Sequence, residues 1–302
     1  MLCRQINHCL TVLAPAKLNL FLRIVARRPD GFHDIESVMA AINLYDTLTL
    51  EAVESGEIEL NVFDASARTP TGSIRLEAPT GPENLVVRAA NLLRKQAGCE
   101  FGARITLVKR IPSSAGLGGG SSDCAAALMG LNRLWSLFLP RNELVTLAGL
   151  LGSDVAFFLS ESPVALCLGR GEQIKPLQIS TGLHFVVAKP VSGLSTPAVY
   201  RQCHPDSSAQ DINGFIESLS AGALGDMARR LHNGLQAPAE LLSSDVRELR
   251  HLFEQLPIFG HQMSGSGSSY FGICATRRQA LRAAGRLRLA GVPWVRVARC
   301  CP

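Results

Sequence analysis

Leu18, Leu20, Leu22 and Ile24 fall on one side of an alternation whose other side is Asn19, Phe21 and Arg23, the period-two signature of a strand. Segments 46–53, 57–63 and 103–109 alternate in the same way and predict three more strands. Pro29-Asp30-Gly31 marks a turn. Leu85, Ala89, Leu92 and Leu93 recur at helical spacing across 83–97, with Gly98 as the stop signal. An Ala- and Leu-rich stretch predicts a long helix over 124–138, and 141–151 predicts another. Segments 164–168 and 173–178 read as a hairpin around Gly169-Arg170-Gly171.

In the second half, 183–189 predicts a strand, and 196–201, 213–219, 224–231 and 244–256 predict helices. Strands at 259–264 and 269–275 flank a loop of glycines and serines, followed by a helix at 277–289 and a closing strand at 294–298. Strands lead the first half and helices interleave later, without regular βαβ alternation. That order favours an α+β protein of two domains over a doubly wound sheet, with a boundary near Pro176 that divides the chain into 1–176 and 177–302.

Composition narrows the class. Of 302 residues, 47% are hydrophobic and 18% charged, which excludes a disordered chain. The apolar runs are far shorter than the ~18–20 residues of a membrane span, and Gln5, Asn7 and His8 interrupt any leader-like stretch at the start. The net charge of +5 is scattered, with no basic block or aromatic–basic module for nucleic acid; a phosphate-bearing small substrate suits it as well. The cations are 25 Arg and only 5 Lys, so a Lys in an apolar segment carries more information than usual. Nine Cys form no CxxC and no zinc-like cluster, and Cys124, Cys167 and Cys274 read as small core residues of a reducing compartment.

The sharpest feature is Pro112-Ser113-Ser114-Ala115-Gly116-Leu117-Gly118-Gly119-Gly120-Ser121-Ser122, running from a strand into the long helix. Glycines let a backbone approach an anion, serines add hydroxyls, and a helix start offers free N–H groups and a positive dipole end, so the segment reads as a phosphate cradle. It is neither a Walker A loop nor a dinucleotide fingerprint. A triphosphate held without a P-loop lysine implies Mg²⁺. Lys17 and Asn19 share one face of an otherwise apolar strand; Lys17 reads as a snorkelling lysine or as the charge that phosphoryl transfer requires. Asp154 is either a helix cap or a base. Ser264-Gly265-Ser266-Gly267 is either a hairpin turn or a second loop of the site.

Taken together, these segments resemble the three motifs of the GHMP kinases: Ala16-Lys17-Leu18-Asn19-Leu20, the 112–122 loop and Ser264-Gly265-Ser266-Gly267, in the family's order across almost the whole chain. Within that superfamily the likeness is closest to the kinases of 4-diphosphocytidyl-2-C-methyl-D-erythritol. It rests on Arg28-Pro29-Asp30-Gly31-Phe32-His33, Leu151-Gly152-Ser153-Asp154-Val155, Gly169-Arg170-Gly171-Glu172, Asn84-Leu85 and Leu231-His232-Asn233.

The resemblance implies an N-terminal domain like domain 2 of ribosomal protein S5, a ferredoxin-like C-terminal domain, and ATP-dependent phosphorylation of the substrate's C2 hydroxyl in the non-mevalonate isoprenoid pathway. It implies that Asp154 takes the hydroxyl proton, that Lys17 orients Asp154, and that 112–122 holds ATP, with Ser121 or Ser122 nearest Mg²⁺. Phe32, His33, Thr196 and Tyr200 would hold the cytidine, and Asn19 the methylerythritol end. It further implies a cytoplasmic protein, a monomer or weak homodimer, whose partner is a small molecule. Homoserine or mevalonate kinase activity, or a non-catalytic ligand sensor of the same fold, are the alternatives.

Three positions depart from the family pattern: Phe32 stands for Tyr, Asp123 for Asn and Gly234 for Asp. A carboxylate at Asp123 is expected either to bind Mg²⁺ or to point away from the nucleotide, with repulsion of ATP the favoured consequence.

Overall fold

The computed structural model describes residues 1–6, 9–65, 68–69, 72–73, 79–160, 162–179, 182–205 and 211–302. In chain order the first half runs β1 (Leu2–Ile6), β2 (Cys9–Arg27), β3 (His33–Val53), β4 (Ile58–Asp64), the short pair β5 (Arg68–Thr69) and β6 (Gly72–Ser73), α1 (Leu85–Ala97), β7 (Gly102–Lys109), α2 (Gly119–Leu134), α3 (Arg141–Leu151), α4 (Val155–Phe158), β8 (Val164–Gly169) and β9 (Gln173–Pro176). The second half runs β10 (His184–Lys189), α5 (Thr196–Gln202), α6 (Ile212–Ser220), α7 (Leu224–Arg229), β11 (His232–Asn233), α8 (Gln236–Leu242), α9 (Ser244–Glu254), β12 (Gly260–Met263), β13 (Tyr270–Cys274), α10 (Arg277–Leu289) and β14 (Trp294–Arg299).

The larger sheet is ordered β1-β2-β3-β7-β4 and forks along β3: Thr47–Val53 pair with β7, while Ile35–Ala40 pair with the β8–β9 hairpin. Residues of α1 and α2 cover it, and Val86, Ala89, Leu128 and Leu131 close a core with Leu10, Val12, Leu50 and Ile105. The smaller sheet is antiparallel, ordered β12-β13-β10-β14. With helices between β10 and β12 and between β13 and β14, this is the split βαβ order of a ferredoxin-like fold. The overall class is therefore the expected mixture of α and β on two sheets.

The halves share two cores. Leu18, Leu20 and Phe21 pack with Phe185, Phe271 and Trp294, and Leu22, Ile24 and Ile35 with Val186, Tyr270 and Val295. The chain leaves the larger sheet after Pro176 and enters the smaller at His184, yet β11 returns to pair in parallel with Phe21–Leu22 of β2. Among the described residues no helix is long and apolar enough to cross a membrane.

Several elements differ from the expectation: β3 begins at His33 and not near Asp46, β1, α4 and β11 were not expected, and β2, α2 and α8 differ for identifiable reasons. β2 begins at Cys9 and spans 19 residues. Its middle is buried on both faces and its pairing with β3 shifts register between Pro15 and Ala16, between Asn19 and Phe21 and between Ile24 and Ala26, so the alternation reads cleanly only over part of its length. α2 starts at Gly119, not Cys124, and ends at Leu134. The glycine-rich segment supplies its first turn, where poor helix propensity hides it from a sequence reading. α8 is hidden by Pro238, which sits within the helix's first turn and needs no N–H there.

Candidate active site

The loop between β7 and α2 is shaped by contacts that only glycine permits. Gly116 has φ +71°, and a Cβ there would lie 1.9 Å from the carbonyl oxygen of Ser264. Gly118, at φ +68°, caps α2 without a side-chain hydrogen bond, and a Cβ there would lie 2.9 Å from Lys17 Cγ. The first-turn N–H groups of α2 are thus free of side-chain capping at the loop's end, the arrangement that receives an anion. The loop is pinned on three sides. The Lys17 N–H donates to the Leu117 carbonyl (2.9 Å), the Ser269 N–H to the Ala115 carbonyl (3.1 Å), and Ser264 Oγ to the Gly116 carbonyl (2.9 Å).

Lys17 and Asn19 do share one face of β2. Both are buried, and Lys17 Nζ donates to Asn19 Oδ1 and stands 3.4 Å from Asp154 Oδ2. Asn19 Nδ2 donates to Ser37 Oγ (2.8 Å), so its carboxamide bridges Lys17 and Ser37. Asp154 precedes α4 but makes no side-chain capping bond, so its carboxylate is spent on Lys17 and not on the helix. Lys17 packs beneath Gly118, and the Ser153 carbonyl approaches Gly171. The pair accordingly stands between the glycine loop and the turn that carries Arg170.

Beneath the start of α2 lies a buried cluster of charge. Lys109 Nζ donates to Asp46 Oδ2 and, at 2.6 Å, to Asp123 Oδ2; all three side chains are almost fully buried. Asp46 Oδ1 also accepts the N–H groups of Arg110 and Ile111. Burial opposes the Lys109 charge, but the two carboxylates outweigh it and hold its pKa above the ordinary lysine range. Burial pushes the Asp123 carboxyl up to about 7 against the pull of Lys109, with Asp46 adding to the rise. Asp123 therefore points into the protein and faces a cation, which corrects the picture of an uncompensated carboxylate bearing on a nucleotide.

One cavity of about 640 Å³ gathers these elements. Pro112 through Ser121 line it, with Lys17, Asn19 and Asp154, and Phe32, His33, Thr196 and Tyr200 join them from other parts of the chain. Ser122 does not line the cavity; it is fully buried and its hydroxyl has no partner among the described residues. His33 and Tyr200 form a tilted ring pair 5.1 Å apart, and the guanidinium of Arg170 lies 4.8 Å above the Phe32 ring. Burial, then Arg27, hold the His33 pKa below the ordinary imidazole range, which keeps the ring neutral, with one donor and one acceptor. Burial, then Asp154, push the Tyr200 phenol up, so its hydroxyl keeps its proton. Thr196 Oγ1 and Ser266 Oγ lie 2.8 Å apart, which brings the second glycine–serine loop into the same wall.

Lys109 and Arg170 also line the cavity, and the sequence reading had given neither a role. Scarcity of lysine pointed toward Lys109; Arg170 lay within the Gly169-Arg170-Gly171-Glu172 motif but with no role of its own, and its backbone N–H is held by Glu172 Oε2 across a tight turn. Asn233 acts from outside: its Nδ2 donates to the Met263 and Gly265 carbonyls (2.8 and 2.9 Å) and so shapes the second loop.

The chain matches the family models for the GHMP kinases N terminal domain over residues 84–162 and the GHMP kinases C terminal over residues 215–292. It is 39% identical over 281 residues to the 4-diphosphocytidyl-2-C-methyl-D-erythritol kinase of Pelotomaculum thermopropionicum, covering 92% of this chain and 94% of that one. It is 37% identical to the Bacillus pumilus kinase of the same name, over 86% of each chain. A crystal structure of a 4-(cytidine 5'-diphospho)-2C-methyl-D-erythritol kinase superposes with a TM-score of 0.77 at 36% identity, covering 97% of this chain and all of that one. The homoserine kinase of Cytophaga hutchinsonii reaches a TM-score of 0.76 at 17% identity, which speaks to the fold alone. With 39% identity running through nine-tenths of the chain, the chain belongs to the 4-diphosphocytidyl-2-C-methyl-D-erythritol kinases, a branch of the GHMP kinases.

Proposed function

We propose that Asp154 and Lys17 carry the transfer of ATP's γ-phosphoryl group to the C2 hydroxyl of 4-diphosphocytidyl-2-C-methyl-D-erythritol, the reaction that names the family. Asp154 accepts the hydroxyl proton as the new O–P bond forms and the bond from Pγ to the β,γ-bridging oxygen breaks, giving ADP and the 2-phosphorylated product. Lys17, 3.4 Å from Asp154, orients that carboxylate and steadies charge on the attacking oxygen. The loop from Pro112 to Ser121 and the open start of α2 receive the phosphates. The observation that carries this reading is the Lys17–Asp154 pair facing one cavity with both the glycine loop and the aromatic group.

The aromatic group favours the cytidyl substrate over homoserine or mevalonate. Phe32 offers a face for stacking, and the neutral His33 ring and the Tyr200 hydroxyl offer hydrogen bonds to a pyrimidine edge. Thr196 stands beside them, and Asn19 faces the methylerythritol end. The division into 1–176 and 177–302 gives the first part the nucleotide loop and the second the Thr196–Tyr200 wall. The same reading gives a monomer or weak homodimer that works in the cytoplasm.

Mg²⁺ fits the donor set. Ser121 presents a hydroxyl on the cavity wall, and a hard cation that takes few protein ligands would draw its remaining oxygens from the phosphates and water. When bound it supplies positive charge to the β- and γ-phosphates. Asp123 is committed to Lys109 and stands apart from that role.

ADP release measured across candidate acceptors tests the function. Turnover is expected with the cytidyl substrate and not with homoserine or mevalonate; turnover with homoserine alone would overturn it. A second measurement concerns Asp123. The buried cluster holds two carboxylates to one ammonium, so Asp123→Asn leaves Lys109 and Asp46 as an even pair. Because Asp123 faces Lys109 and not the cavity, KM for ATP is expected to stay within about twofold of wild type, with the Mg²⁺ needed for half-maximal rate unchanged. A raised Mg²⁺ requirement would assign Asp123 to the metal instead.

A further inference from the structure

Lys189 ends β10 and is 2% exposed, yet no carboxylate lies within ion-pair distance of it among the described residues. Its ammonium instead donates to three consecutive backbone carbonyls, those of Pro190 (3.0 Å), Val191 (3.3 Å) and Ser192 (3.2 Å). An ammonium has three donors and no acceptor, so three carbonyls saturate it. The turn is built around that group: the Val191 side chain is 74% exposed while its carbonyl faces inward. Burial presses the Lys189 pKa below the ordinary lysine range, and Asp245 offsets this only in part.

The segment that follows touches both loops of the site. A Cβ on Gly193 would lie 3.3 Å from Ser114 Cβ on the phosphate loop. A Cβ on Gly267 would lie 3.2 Å from Leu194 Cδ1. The Ser192 carbonyl also accepts from Ser268 Oγ (2.7 Å), and Thr196, the first residue of α5, meets Ser266. Within five residues of the Lys189 cage, the chain has fixed its distance to both glycine–serine loops and set the direction of the helix that carries Tyr200.

We propose that Lys189 is a positioning residue for the substrate side of the reaction: its ammonium gathers the carbonyls of residues 190–192 and so holds Gly193, Thr196 and Tyr200 in register with the two loops. The substrate side of this inference rests on the function given above; the anchoring of the turn does not.

The test is Lys189→Met, which keeps the length and bulk of the side chain and removes the charge and donors. The Pro190 and Val191 carbonyls then lose the ammonium as partner, and the Ser192 carbonyl keeps only Ser268 Oγ. KM for the cytidyl substrate is expected to rise about tenfold, with kcat within about threefold of wild type, as expected when binding is lost without loss of the chemical step. Hydrogen exchange at the amides of residues 191–196 is expected to quicken about tenfold or more, while β13 keeps its protection. The exchange measurement needs no substrate. If wild type fails to turn over the cytidyl compound, the functional reading falls and the exchange result still decides the role of Lys189. Should Lys189→Met not fold, Ser268→Ala removes the other donor to the Ser192 carbonyl and is expected to quicken exchange in the same segment. A folded Lys189→Met with wild-type KM and unchanged exchange at 191–196 would overturn the proposal. So would loosening spread evenly over the smaller sheet, or a Ser268→Ala variant with no change in that segment.

Discussion

Replacing Asp154 by Asn is expected to lower kcat by about 10²–10⁴-fold, the range over which a general base contributes. ATP binding should change little, because the phosphate loop takes its shape from Gly116, Gly118 and the bonds to Lys17, Ser264 and Ser269, none of which involves Asp154. Stability is expected to fall by about 1–3 kcal/mol, because the change takes the charged partner from the buried Lys17 ammonium and leaves it only the Asn19 carboxamide; none of that loss comes from α4, which Asp154 does not cap. The three readouts separate the roles. A base gives low kcat with normal nucleotide binding, whatever the loss in unfolding from the Lys17 pair. A helix cap would give normal kcat with a loss of about 1 kcal/mol in unfolding. A kcat within threefold of wild type would move the proton acceptor elsewhere.

Lys109→Met is expected to be the most damaging single change to stability, at about 3–5 kcal/mol, the cost of removing one partner from a buried charge cluster. Asp46 is 0% exposed and Asp123 2%, and both aim an oxygen at the same ammonium. Without Lys109 the two carboxyls face each other away from water. Asp46 still accepts the Arg110 and Ile111 N–H groups, so the release of strain falls on Asp123 and the first turn of α2. Urea unfolding measures the loss, and adding Asp123→Asn to Lys109→Met should recover part of it. A loss below about 1 kcal/mol would mean that water reaches the cluster and already screens it.

How much of this could be read from residues alone varies with the range of the interaction. The glycine–serine loop was legible because its glycines, serines and following helix are contiguous. Lys17 and Asn19 were legible as a same-face pair because strand alternation fixes side-chain direction. The start of α2 was misplaced because glycine is a poor helix former, yet Gly119 and Gly120 supply the helix's first turn. Asp154 could not be read locally because its partner Lys17 lies 137 positions away and 3.4 Å off; the structure shows no capping bond from its side chain. Arg170 over Phe32 and the Asp46–Lys109–Asp123 cluster likewise depend on strand pairings that no local pattern announces. One signal was stronger than first used: of five lysines, Lys17, Lys109 and Lys189 are all buried at 3% exposure or less. Lys95 and Lys175 are exposed, but those three sit where a compact ammonium must fit among oxygens.

The close approach of Gly116 to Ser264 has a consequence for how the protein comes into being. The phosphate loop is braced from outside by residues 264–269, and the N–H of Asn19 donates to the hydroxyl of Ser264, 245 positions later. A chain emerging from the ribosome can close the larger sheet long before these braces exist, but its nucleotide loop has no final shape until Ser264 has been made and docked. Such long-range closure is slow relative to local helix and hairpin formation. The nascent protein thus acquires a core before its glycine loop is braced, and only a chain synthesised past Ser269 holds that loop in its final shape.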